Sequence, residues 1–287
     1  MTNASNARKQ LREIIDGTGC VFPASVHDPI SARIAHDIGF EMGMFAGSVA
    51  SLTVLGAPDV ILLTLSEFAQ QARRITRGSG LPVFCDADHG YGNALNVMRT
   101  VEELENAGIA GLSIEDTDLP VGFGQTDGAK LISVEEGVGK IKAALSARQD
   151  PDLVIAGRTS AVLITGIEDT VQRLQAYEEA GADILFAVGI RTRQQLETLS
   201  QATTLPLFMG GLPIDMMDKS YLASQRVRIS LQGHQPFAAA VQAIEDTLRN
   251  LRAGVAPADL DRIADKSTMA RLMKQDELDL TVSDFLR

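Results

Sequence analysis

Two aspartates flank a single alanine in the stretch Asp86-Ala-Asp-His-Gly-Tyr-Gly-Asn93, and a glutamate, Glu115, closes the next apolar run in Ser113-Ile-Glu-Asp-Thr117. Strand alternation would send Asp86 and Asp88 to one face, and an adjacent strand would let Glu115 reach the same space. Three hard oxygen donors with no cysteine beside them, completed by water, describe a Mg²⁺ site, with Mn²⁺ as a substitute. The competing reading makes Asp88 and Asp116 helix caps or turn residues and pairs Asp86 with a lysine. Against it, converging acids repel strongly unless a cation sits among them.

Further residues could serve the same site. Arg158 interrupts an apolar run, Leu153-Val-Ile-Ala-Gly-Arg158. Its fork suits a substrate carboxylate, although an ion pair with one of the acids would also place it there. Ser48 follows a glycine at a run's end, where a hydroxyl and backbone N–H groups can hold an anion or cap a helix. His234 is one of four histidines and ends the last run. Such a histidine is either a satisfied structural group or a substrate contact, and its position at a strand terminus favours the second. His89 and Tyr91 read either as turn supports or as groups behind the metal ligands, and Cys85 as packing. Gly122-Phe-Gly124 with Gly128 lacks the strand-then-helix setting of a dinucleotide fingerprint. The Gly- and Asp-rich stretch Thr117–Leu131 reads instead as a long loop of the kind that closes over a barrel mouth.

Such residues need elements to hold them. Eight apolar, β-branched runs recur: Val21–Val26, Glu41–Gly47, Val83–Asp88, Ala110–Asp116, Leu153–Ser160, Ala182–Gly189, Leu205–Gly211 and Val227–His234. Their spacing averages ~30 residues, the size of one βα unit. Most are continuously apolar, as strands buried on both faces should be. Between them, Val97, Val101 and Leu104 fall at helical spacing, as do Val171, Leu174 and Tyr177, and Phe237, Val241, Ile244, Leu248 and Leu251. Gly108 and Gly181 punctuate helix ends just before the next run. Eight such units predict a single α/β domain, a (β/α)8 TIM barrel over 1–287 with a C-terminal helical extension from about 255. A doubly wound sheet is the alternative. The polar residues Ser48, Asp86, Asp88, Glu115, Arg158 and His234 all fall at the C-terminal ends of the runs, which is where a TIM barrel keeps its chemistry. The extension beyond Gly254 reads either as a helix on its own barrel or as an arm for a neighbouring subunit.

The chain's 287 residues are 45% hydrophobic and 22% charged, enough for a sizeable core, with a net charge of -11. So acidic a chain does not suit nucleic acid or an anionic membrane surface. No apolar run approaches a membrane span, and the first residues lack a signal peptide's apolar core. Two cysteines without ligand-like spacing, Cys20 and Cys85, argue against a disulfide framework or zinc, so a cytoplasmic protein is expected.

The acid motif, Ser113-Ile-Glu-Asp-Thr117, Gly47-Ser48, Ala57-Pro-Asp59 and Glu135-Glu-Gly-Val-Gly-Lys-Ile141 together resemble the isocitrate lyase/phosphoenolpyruvate mutase superfamily, over roughly residues 10–250. Within it, Gly47-Ser-Val-Ala-Ser51, Gly157-Arg-Thr159 and Gly233-His234 look most like the bacterial oxaloacetate decarboxylase branch. The resemblance implies a barrel whose last helix is exchanged between subunits, giving dimers and commonly a homotetramer. It implies Mg²⁺ held directly by Asp86, with Asp59, Asp88 and Glu115 acting through water, and substrate contacts from Ser48, Arg158 and His234. Lyases of the superfamily carry a lid cysteine as proton donor, and Thr117–Leu131 has none. The Asn features of the phosphonate-enzyme lids are missing as well. The resulting expectation is Mg-dependent decarboxylation of oxaloacetate, a 2-oxo-dicarboxylate, to pyruvate and CO₂ through a metal-stabilised enolate. The alternatives are a C–C or C–P lyase or hydrolase on a related 2-hydroxy or phosphono acid, and a non-catalytic metabolite-binding barrel.

Overall fold

The computed structural model describes residues 3–126 and 128–286. Eight parallel strands run in chain order through one sheet: β1 (Ala24–Ser25), β2 (Gly43–Phe45), β3 (Val83–Asp86), β4 (Gly111–Glu115), β5 (Val154–Thr159), β6 (Ile184–Val188), β7 (Leu207–Gly210) and β8 (Val227–Ser230). Val21 bridges Ile229 in parallel, with its N–H on the Arg228 carbonyl at 2.8 Å and its own carbonyl accepting from Ser230 N–H at 3.1 Å. The first and last strands are thereby joined, giving the expected (β/α)8 barrel. The continuously apolar runs are strands buried on both faces: every residue of β4 is buried, and β5 departs from that at Arg158 alone.

Helices α1 (Asn3–Asp16), α2 (Pro29–Asp37), α3 (Gly47–Leu55), α4 (Leu65–Ser79), α5 (Ala94–Asn106), α6 (Val134–Ala147), α7 (Ile167–Glu179), α8 (Arg193–Ala202) and α9 (Lys219–Ser224) complete the unit that ends at His234. Their starts follow the local sequence. Thr64 and Glu67 form a reciprocal capping box on α4, as Thr192 and Gln195 do on α8. Gly108 and Gly181, both with positive φ, end the turns that lead into β4 and β6. Val97, Val101 and Leu104 are fully buried, as their spacing predicts.

α1 is a helix that no motif announces. Arg8 donates to the carbonyls of Ile109 and Glu105 and pairs with Asp150, while Arg12 donates to the carbonyls of Pro151, Asp152 and Leu153 and pairs with Asp183. These are the carbonyls just ahead of β4 and β5, so α1 closes the N-terminal end of the barrel. The fully buried Leu11 lies so close to Gly111 that a Cβ there would come within 2.8 Å of it, and within 2.7 Å of the Phe84 ring. Glycine at 111 is therefore a packing requirement.

A second compact unit, Gln235–Arg287, comprises α10 (Gln235–Arg252), α11 (Lys266–Met273) and α12 (Gln275–Leu286). α10 buries none of its residues, and its apolar stripe Val241, Ile244, Leu248 and Leu251 is exposed. Among the described residues no helix is long and apolar enough to cross a membrane.

Candidate active site

The acids lie at the C-terminal mouth and are organised around Arg158. Glu115 and Arg158 are register partners on β4 and β5, which sets their side chains beside each other. One arm of the guanidinium pairs with Asp86 and the other lies 3.1 Å from Glu115. Ser113 donates to the other oxygen of Asp86 at 3.0 Å. Beneath, the guanidinium carbon lies 5.4 Å from the ring centre of Phe186, which stacks on Phe208 at 4.0 Å. The aromatic floor thus fixes the height at which the arginine meets the acids. Burial works against its charge, but Asp86 and Glu115 hold it protonated above its usual range. Both candidate roles of Arg158 are therefore open to it: it is ion-paired, yet its Nε is buried without a hydrogen-bond partner. An unsatisfied buried donor costs about 1–3 kcal/mol.

Asp88 does not reach the mouth by strand alternation. β3 ends at Asp86, and the chain then turns through left-handed backbone at Asp88 (φ 48°), Gly90 (79°) and Tyr91 (59°). For Asp and Tyr that conformation costs about 1–2 kcal/mol each. The turn carries Asp88 back towards β2 and α3, where its carboxylate lies so close to Gly47 that a Cβ there would sit 3.0 Å from Oδ1. Asp88 is not a cap, since Asn93 caps α5. Burial, then the charges of Asp86, Asp59 and Glu115, push its carboxyl well above the carboxylate range. Glu115 is also raised by burial, with Arg158 opposing. Asp59, exposed on the loop after α3, is raised by partial desolvation and by Asp86.

Ser48 lies in the first turn of α3, so it is not the N-cap. That position falls to Ala46, which offers no side-chain hydrogen bond. The first N–H groups of a helix have no intrahelical partner, so this end, beside Asp88, suits an anion. His234 stands at the end of the β8 run with Nδ1 2.9 Å from the hydroxyl of Ser25 on β1. Burial lowers its pKa, while Asp86 and Asp59 oppose the shift.

Asp116 faces the other way and is structural. It is buried, and accepts from Tyr177 at 2.6 Å and from Arg173 at 3.1 Å. Arg173 also donates to the Ile132 carbonyl at 2.9 Å. The 117–131 loop leaves and re-enters at this point: Thr117 bridges Leu131, Asp118 N–H bonds to the Lys130 carbonyl at 2.8 Å, and Ile132 N–H to the Asp116 carbonyl at 2.9 Å. Its stems are zipped while its tip is exposed at Val121 and Phe123. A cavity of about 530 Å³ lies beside it, lined by Glu115, Thr117, Arg158, Ser160, Leu163 and Ile164 among others. Cys85 is fully buried, as packing requires, and Cys20 is buried too.

Among the described residues no three His, Cys, Asp or Glu side chains close to ligating spacing, because Arg158 stands between Asp86 and Glu115. The donor chemistry nevertheless fits a hard divalent cation. Four carboxylates (Asp59, Asp86, Asp88 and Glu115) share one region with a single arginine, and burial first, then the charges of its acidic neighbours, raise the carboxyl pKa of Asp88. Asp86, Asp88 and Glu115 are the residues that would hold the ion.

The structure thus brings Ser48, Asp86, Asp88, Glu115, Arg158 and His234 to one barrel end. Sequence reasoning missed Ser25, Ser113 and Lys140. Ser25 is an ordinary strand residue with no sequence signal, whereas Ser113 opens the Ser113–Thr117 motif, in which only the acids were given a role. Lys140 carried a signal, because it lies on the buried stripe of α6 with Gly137, Ile141 and Ala144.

Residues 11–252 match the family described as phosphoenolpyruvate phosphomutase, and the chain belongs to the phosphoenolpyruvate mutase/isocitrate lyase superfamily of barrel enzymes. A Bradyrhizobium diazoefficiens protein named oxaloacetate decarboxylase is 57% identical over 97% of this chain and 96% of its own length. Among solved structures, phosphoenolpyruvate phosphomutase from Streptomyces platensis subsp. rosaceus is 30% identical, with a TM-score of 0.87 over 98% of this chain and 99% of that one. A phosphonopyruvate hydrolase in complex with oxalate and Mg²⁺ is 26% identical, with a TM-score of 0.85 over 98% and 99% of the two chains.

Proposed function

We propose that the protein decarboxylates oxaloacetate to pyruvate and CO₂ with Mg²⁺, which Mn²⁺ can replace. The observation that carries this choice within the superfamily is that the loop over the mouth has no cysteine. Both cysteines are buried, Cys85 in β3 and Cys20 ahead of β1. A C–C lyase needs an acid or base at the lid to manage its proton. A β-keto acid needs none to begin, because the C3–C4 electron pair flows into the adjacent carbonyl as CO₂ leaves. The 57% identity to a protein named for this reaction supports the same reading.

Held by Asp86, and through water by Asp88 and Glu115, the ion would act as a Lewis acid on the enolate oxygen. That it is Mg²⁺ is supported by the related hydrolase's complex and by the all-oxygen donor set. Arg158 and the α3 N-terminus with Ser48 bind and orient the carboxylate next to the carbonyl. His234, its Nδ1 engaged by Ser25, directs Nε2 to the substrate. Water beside it delivers the proton that C3 takes up.

The apolar stripe of α10 supports exchange of this helix with a second copy, within a homotetramer built as a dimer of dimers. A small dissolved diacid as substrate fits a cytoplasmic enzyme. The test is CO₂ release from oxaloacetate with Mg²⁺ and with a chelator, beside 2-alkylmalates and phosphonopyruvate. Metal-dependent turnover of oxaloacetate well above that of free Mg²⁺ is expected. Turnover of only the other acids would overturn the assignment, and tight oxalate binding without any turnover would favour a binding protein.

A further inference from the structure

The Asp88 turn is held by a complete set of donors. The Ala87 carbonyl accepts from Gly90 N–H at 2.9 Å, and the Asp88 carbonyl from Glu115 N–H at 2.9 Å. The His89 carbonyl accepts from Lys140 Nζ at 3.0 Å, and the Gly90 carbonyl from Thr100 Oγ1 at 3.0 Å. Buried carbonyls require partners, and here four in succession are matched one by one. Three of the donors are neutral groups from the turn itself, β4 and α5. The fourth is an ammonium reaching in from α6.

Lys140 is buried at 3% exposure, an unusual place for a lysine. The backbone it holds is in the left-handed region at Asp88 and Tyr91, where the bulky tyrosine side chain is the more strained of the two. Nothing can be closed up at Gly90 instead, because a Cβ there would come within 2.4 Å of Val97. The ammonium also lies among acids of the mouth and lid stem, its charge favoured by Glu136, Glu115, Asp118 and Asp116 against the burial that lowers its pKa.

We propose that Lys140 is a positioning residue for the active site: by holding the His89 carbonyl, its buried ammonium locks the left-handed turn that delivers Asp88 to the acid cluster. This rests on the reading that the cluster performs the chemistry, but the lock itself is a property of the unliganded protein. Removing the ammonium frees a buried carbonyl at the centre of the turn, and the strained residues on either side relax. Asp86, on β3, stays in place.

The test is Lys140→Met in the full-length protein, with Lys142→Met, an exposed lysine on the same helix, as control. Amide hydrogen exchange of residues 87–92, without metal or substrate, should accelerate at least about tenfold. Exchange over β6 should stay unchanged. Lys140→Arg, which keeps a charged donor, should restore most of the protection. If Lys140→Met does not fold, Lys140→Gln reads the same segment. With Mn²⁺ titrated by electron paramagnetic resonance, the variant should bind about tenfold or more weakly. Turn exchange equal to wild type, or acceleration spread evenly over β6, overturns the proposal and leaves Lys140 as general packing. A wild-type protein that binds no Mn²⁺ would instead strike the metal reading, and the exchange data would still decide the lock.

Discussion

Arg158 does two things with one guanidinium. Its two terminal nitrogens hold Asp86 and Glu115, and its Nε stays buried and unmatched. A lysine could supply the charge but not the fixed fork that meets both acids, nor the flat face that lies over Phe186. Arg158→Lys should therefore lower kcat/KM by about 100-fold, mostly through KM. Asp86→Ala removes the carboxylate that both Arg158 and Ser113 engage. Metal-dependent CO₂ release should fall by about 100-fold or more, and undiminished turnover would sink the mechanism. Ser25→Ala should be milder, about tenfold in kcat. The hydroxyl only fixes which nitrogen of His234 carries the proton, and ¹⁵N shifts of that imidazole should show the two tautomers mixing in the variant.

At the scale of elements, β4 ends in two adjacent acids that do opposite work. Glu115 faces Arg158 and the mouth, while Asp116 is buried against Tyr177 and Arg173 on α7. Tyr177 is itself tightly fitted, since a Cβ at Gly137 would come within 2.5 Å of its hydroxyl and one at Gly157 within 2.8 Å of its Cβ. Tyr177→Phe keeps that fit and removes one hydrogen bond to a buried carboxylate. It should cost about 1–3 kcal/mol in urea unfolding and speed amide exchange at the zipped stems of the 117–131 loop. A stability loss with no change at the stems would separate the network from the loop.

For the whole molecule, the acid cluster ties stability to metal and pH. Asp88 and Glu115 have raised carboxyl pKa values in the folded protein. Their contribution to stability is full below the ordinary carboxylate pKa and is lost as pH rises through the folded values. Chelator-treated protein should therefore gain more from Mg²⁺ near about pH 8 than near about pH 5. At a hundredfold excess over its Kd the ion is worth about 2.7 kcal/mol, or roughly 4–5 °C in Tm for a chain this size. Equal melting with and without Mg²⁺ at both pH values would count against a metal among these acids. Leu248→Asp on the exposed stripe of α10 should lower the solution mass measured by light scattering. An unchanged mass would remove that helix from subunit exchange.

By itself, the sequence determined the barrel and the end of it at which the polar residues gather. Periodicity, glycine stops and apolar runs are local signals, and polar residues gathered at run ends reveal polarity without any contact being known. It also singled out Asp86, Glu115 and Arg158, because charged groups stand out against buried strands. Tertiary structure decided what those groups meet. Arg158 comes between Asp86 and Glu115 through the pairing of β4 with β5. Asp88 arrives by a left-handed turn, where alternation along a longer strand had been expected. Ser25 meets His234 only because the first strand closes against the last, and Lys140 reaches the turn from a helix three elements further along the chain. Local sequence fixes backbone preference and burial, whereas hydrogen bonds between residues far apart in the chain exist only once the barrel has closed.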